Sequence, residues 1–168
     1  RYDSYLCFYT RTTGIWQNVW LEHVSKQKVR EFYFYPSVKD TSVTVDLITN
    51  GNGRYAITVE YEGRKVGFAE GEMKYREKVK IPLDEAHLWA LGKGELYDVV
   101  LQFEEDTVYS YFGLREVEYK GYDFYLNGEK IYQKLVLDQG YFPDGIMTAP
   151  SVEAMEADID RGLRLGFN

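Results

Sequence analysis

Cysteine is almost missing from these 168 residues: Cys7 stands alone, so no internal disulfide can form and the fold must rest on its core. A lone thiol between Leu6 and Phe8 reads as a packed side chain rather than a nucleophile. Long apolar runs are missing too. No stretch approaches the roughly 18 residues a bilayer span requires, and the opening RYDSYLCFYT lacks the charged and apolar segments of a signal peptide, so no membrane partner is expected. Positive charge is in deficit, with 20 Lys plus Arg against 27 Asp plus Glu, and the basic residues are scattered. Phosphate binding needs a concentrated positive field, which argues against nucleic acid. Histidine occurs twice, at His23 and His87, with no ligand spacing between them, so no metal site is expected. No cofactor is expected either: Gly51 and Gly53 in NGNG lack the third glycine and the βαβ context of a dinucleotide loop.

Aromatic residues, by contrast, are abundant at 17%, which suits both half-buried strand surfaces and the stacking platforms of sugar sites. Period-two alternation begins after residue 41, where Val43, Val45 and Leu47 alternate with Thr44 and Asp46. NGNG at 50–53 predicts a hairpin turn, with Tyr55, Ile57, Val59 and Tyr61 as the return strand and EGRK at 62–65 as the next turn. Short strands are expected at 66–68 and 79–81, then an alternating strand through Tyr97, Val99, Leu101 and Phe103, and another over 108–115. Turns at such spacing predict an antiparallel β-sandwich or barrel, and no disulfide is needed for an immunoglobulin-like one.

The period changes near residue 150. Val152, Met155, Ile159 and Leu163 form one helical stripe, with Ser151 as N-cap and Gly166 as stop. Glu156 and Asp160 lie one turn apart, but a solvated face explains them without catalysis. KIYQKLVL, the Asp-Gln-Gly-Tyr loop and this helix together read as one βα unit, the repeat of a (β/α)₈ barrel, whose other units would lie beyond Asn168. The start without Met, inside a strand-like pattern, reads as an excised segment or a product that has lost its leader.

Four stretches in order, TTGIWQNVWLE (12–22), LWALGKGELYDVVLQF (88–103), FGLREVEYKGYDFYLNGEKIY (112–132) and LDQGYFPDGIMTAPSVEAMEADIDRGLRLGFN (137–168), resemble glycoside hydrolase family 2, which includes β-galactosidases, β-glucuronidases and β-mannosidases. The resemblance spans essentially the whole chain. It implies a mainly β fold: an immunoglobulin-like antiparallel β-sandwich with a C-terminal βα piece of a truncated TIM barrel. On the family's plan, residues 1–24 are the last strands of a jelly-roll sugar-binding domain, 25–117 the sandwich, and 118–168 the first βα unit of the catalytic barrel.

Family members hydrolyse glycosides with retention, using a Glu acid/base and a Glu nucleophile roughly 5 Å apart. Neither matching motif occurs here, so no catalytic residue is assigned and the segment alone is expected to be inactive. The loop after the first barrel strand borders the sugar pocket in the family, which makes Asp138, Gln139, Tyr141 and Asp144 the candidate substrate contacts. The alternative for Asp144 is a turn with Gly145 after Pro143, and for Gln139 the satisfaction of backbone groups. Trp16, Trp20 and Trp89 read as packing residues, with a sugar groove as the alternative.

Two functions stay open. One is a segment of a β-galactosidase-like retaining glycosidase in carbohydrate metabolism, whose own role is to position the sugar-binding and catalytic domains; the carbohydrate substrate is then the parent's partner. The His-rich stretch of many galactosidases is missing, so galactose specificity does not carry over. The other is a stand-alone carbohydrate-binding β-sandwich module. Exposed domain-interface surfaces would favour self-association. The chain reads as soluble, with a periplasmic or secreted parent compatible and the compartment open.

Overall fold

The computed structural model describes residues 12–168, so Cys7 and the first strand-like residues lie outside the described part. The chain divides into two compact units: His23–Tyr132, and Gln133–Asn168 together with the N-terminal segment up to Glu22.

The first unit is built from antiparallel strands: β1 (Val29–Ser37), β2 (Ser42–Tyr61), β3 (Arg64–Pro82), β4 (Tyr97–Phe103) and β5 (Asp106–Phe112). Inward positions alternate as the sequence requires. Val43, Val45, Leu47, Ile57 and Val59 of β2 and Tyr97, Val99, Leu101 and Phe103 of β4 are all buried in one core. β3 pairs with β2 along its length, whereas β1 and β4 share the other edge of β2: β1 takes residues 42–49 and β4 takes 55–60. The sheet thus curls on itself into a β-sandwich. β1 and β5 close one side, where the Phe34 and Phe112 rings meet at 5.5 Å and the Val29 N–H donates to Asp106 Oδ2 at 2.9 Å.

The curl corrects the turn expected at 50–53. β2 runs straight through NGNG, and the pairing with β3 instead shifts register between Ile48 and Asn52, opposite Tyr75 at φ 53°. A bulge bends a strand without reversing it. The expected return strand is therefore the second half of β2, and the two short strands foreseen at 66–68 and 79–81 are parts of β3. The next reversal falls where EGRK foretold, at Glu62 and Gly63, both with positive φ as a two-residue hairpin demands.

A small sheet follows: β6 (Val117–Lys120), β7 (Asp123–Leu126) and β8 (Glu129–Ile131). Only the start of KIYQKLVL is strand, and residues 132–141 lie in no strand, because a strand needs a ladder partner and none is present among the described residues. In the second unit α1 (Val152–Arg164) begins and ends as read: Ser151 Oγ accepts the Ala154 N–H at 3.2 Å. Gly166, at φ 89°, and Phe167 donate back to Leu163 and Gly162, which completes a Schellman cap. No helix among the described residues is long and apolar enough to cross a membrane.

Candidate functional site

The loop from Asp138 to Thr148 is shaped by its own backbone groups. Asp138 Oδ1 accepts the Gly140 N–H at 2.8 Å, an Asx-type turn. Phe142 and Ile146 then exchange both main-chain hydrogen bonds, at 2.8 and 2.9 Å, which closes the chain over Pro143, Asp144 and Gly145. Gly145 is required by close approach: a Cβ there would stand 1.9 Å from the Thr148 carbonyl oxygen. Ile146 holds φ 57°, a conformation that costs a β-branched residue on the order of 1–3 kcal/mol, so the surrounding bonds must enforce it. Thr148 Oγ1 donates to the Trp16 carbonyl at 3.1 Å and ties the loop to the segment at 12–22.

These contacts form a groove of about 630 Å³, with Trp16, Trp20, Gln139, Phe142 and Met155 on its walls. The two indoles, 55% and 73% exposed, are partly open to solvent rather than enclosed in a core, and residues 12–22 form no strand. Gln17 and Asn18 add amides beside them. Flat rings stack on the C–H faces of a pyranose while amides exchange hydrogen bonds with its hydroxyls, so the wall chemistry suits a sugar.

Of the four candidate residues, Gln139 faces this groove. Asp138 lines a narrower one of about 260 Å³, with Leu135, Val136, Ile159 and Leu163. Asp144 sits in the exposed turn over Gly145, as the turn alternative foresaw, and Tyr141 is exposed beside it. Gln17, Asn18 and Thr148 were missed by sequence reasoning. The signal was the polar pair inside GIWQNVW, read only for its tryptophans.

Electrostatics on the helix are those of a solvated face. Asp158 pairs with Arg161, and Asp160 approaches Arg164 at 4.0 Å, rather than joining Glu156. The Glu153 carboxyl is held below the usual range by its own backbone N–H and by the Ser151 hydroxyl. Among the described residues no His, Cys, Asp and Glu cluster is arranged to hold a metal.

The family model described as Glycosyl hydrolases family 2 matches residues 27–115, more than half of the chain. The chain belongs to glycosyl hydrolase family 2. The matched stretch is the sandwich, and the grooved loop lies outside it. Solved structures similar to this family 2 chain include a β-glucuronidase from Lactobacillus rhamnosus, at 21% identity and TM-score 0.71 over 85% of this chain and 25% of that one. A Ruminococcus gnavus β-glucuronidase in complex with uronic deoxynojirimycin gives TM-score 0.72 at 19% identity, over 85% and 25%. Its apo structure gives 0.71 at 18%, over the same shares. At this identity the likeness is one of fold. The chain spans about a quarter of the length of these relatives. Comparison with curated proteins gives no significant match.

Proposed function

We propose that this family 2 chain is a segment of a retaining glycoside hydrolase: residues 1–24 close a jelly-roll sugar-binding domain, 25–117 form an immunoglobulin-like sandwich, and 118–168 open the catalytic barrel. Its own role is structural. The sandwich fixes the sugar-binding domain against the barrel, and both catalytic Glu residues belong to other parts of the parent. The observation that carries this reading is the family match over residues 27–115, joined to a loop whose groove sets Gln139 beside Trp16 and Trp20. In the parent, Asp138, Gln139, Tyr141 and Asp144 border the sugar pocket, and the exposed stripe on α1 is covered by the rest of the barrel.

The test compares this chain with the parent protein on nitrophenyl β-galactoside, β-glucuronide and β-mannoside. The parent should hydrolyse at least one with retention, and the chain alone none. Gln139→Ala in the parent should raise KM by about tenfold, the loss of one or two hydrogen bonds to a substrate hydroxyl. Turnover by the chain alone, or an inverted product, overturns the reading.

A stand-alone carbohydrate-binding module is the second reading, favoured by the outward rings of Tyr33 and Tyr35 on β1 and Tyr109 and Tyr111 on β5. It requires a parent without glycosidase activity and a chain that binds neutral saccharides in a calorimeter.

A further inference from the structure

The sandwich unit carries a second groove, of about 710 Å³, within the range of small-ligand sites. It lies where β1 and β5 close the sandwich, between Tyr35 and Pro36 on one side and Tyr111, Trp89 and Arg115 on the other. Its chemistry is unlike that of the chain as a whole. The protein carries a net charge of -7, yet the lining of this groove holds one cation, Arg115, and no carboxylate. Among the described residues Arg115 makes no ion pair: its guanidinium carbon stands 4.7 Å from the centroid of the Trp89 ring. A guanidinium without an ion pair has N–H donors to offer, and it can match a carboxylate with two parallel hydrogen bonds.

The position of this arginine is built rather than incidental. On one side of it Leu114 is fully buried and accepts the Trp89 N–H at 3.0 Å. On the other, the Glu116 N–H donates to Asn127 Oδ1 at 2.9 Å, and Asn127 Nδ2 donates to the Trp89 carbonyl at 2.9 Å. The backbone on both sides of Arg115 and the backbone of Trp89 therefore belong to one hydrogen-bonded frame, which sets where both side chains start. Tyr35 and Tyr111, 52% and 64% exposed, offer rings and hydroxyls at the rim, and Lys78 Nζ stands 5.7 Å from the Tyr35 ring centroid. Rings for stacking, phenols for hydroxyl groups and one oriented cation form a combined recognition surface.

We infer that this groove binds an acidic saccharide, a uronate-bearing oligomer whose carboxylate meets Arg115 and whose sugar faces lie on Tyr35 and Tyr111. The site is separate from the loop at 138–148 and does not depend on the role proposed for that loop.

The full chain is titrated calorimetrically with tetragalacturonate and with its neutral counterpart galactotetraose. Saturable binding of the acidic oligomer is expected, at least tenfold tighter than the neutral one, with a preference that shrinks as salt rises. Arg115→Gln should abolish the preference, whereas Arg115→Lys, which keeps the charge but loses the planar edge, should retain part of it. Thermal melts establish that each variant is folded. Tyr111→Ala should weaken both ligands. No saturable binding, equal affinity for both oligomers, or a preference that survives Arg115→Gln overturns the proposal.

Discussion

Single side chains decide much of the sandwich. Tyr97 is fully buried, and its hydroxyl donates to the Glu85 carbonyl at 2.9 Å while accepting the His87 N–H at 2.7 Å. Tyr97→Phe leaves both backbone groups unsatisfied, so a loss of about 1–3 kcal/mol is expected in urea unfolding. Asp46 is completely buried on the outer side of β2, where Arg76 reaches it with Nε at 2.8 Å and Nη2 at 2.6 Å. The hydrogen bonds from Arg76 hold its carboxyl below the usual range despite burial, which acts the other way. With a folded pKa below the unfolded value of about 3.9, the stability from this pair is fully present above pH ~4 and is lost as pH falls through the folded pKa. Urea midpoints measured from pH 7 to 2 should fall below pH ~4, and Asp46→Asn should start lower and fall less steeply. Tyr61 gives the alkaline counterpart. Its hydroxyl donates to Glu95, and this bond, helped by burial, pushes its pKa up to about 12 from 10.0. The raised folded value means that stability is present below pH ~10 and is lost as pH approaches 12. Ultraviolet titration should place Tyr61 among the late tyrosinates, and Glu95→Gln should move its ionisation to lower pH.

At the level of elements, the loop at 138–148 and the bend in β2 differ in how local their causes are. The loop is enforced by contacts within a few residues, with Gly145 against the Thr148 carbonyl as its tightest point. Gly145→Ala should break the paired hydrogen bonds between Phe142 and Ile146. The expected readout is faster amide exchange at Ile146 and Thr148, with the sandwich amides unchanged. The turn at Asp144 and Gly145 after Pro143 was legible as an alternative, whereas Asp138 was read as a substrate contact and its acceptance of the Gly140 N–H was not foreseen. The bend was not foreseen either. Asn and Gly at 50–53 permit a reversal and a bulge equally, and the choice fell to β1 and β4, which are distant in sequence and share one edge of β2.

For the whole molecule the exposed stripe on α1 sets how this chain associates. Val152, Ile159 and Leu163 are all exposed, as are Leu135 and Val136, which line the same groove as Ile159 and Leu163. An apolar patch of this kind drives association in water. The chain should therefore show concentration-dependent dimers in light scattering, and the double change Ile159→Lys, Leu163→Lys should shift it to monomer with helix content unchanged. Under the proposed barrel reading, the same double change should instead reduce the stability of the longer protein.

Hydrophobic alternation in the sequence was enough for the mainly β character, the inward faces of β2 and β4, the Glu62–Gly63 reversal and the capped helix at 152–164, because each depends on neighbours within one turn or one pleat. Strand partners, the curl of one continuous sheet into a sandwich, the sorting of Asp138 and Gln139 into different grooves and the frame around Arg115 followed from packing. Each of these is set by groups tens of residues apart that compete for the same hydrogen-bonding edge or the same volume, and periodicity carries no information about that competition.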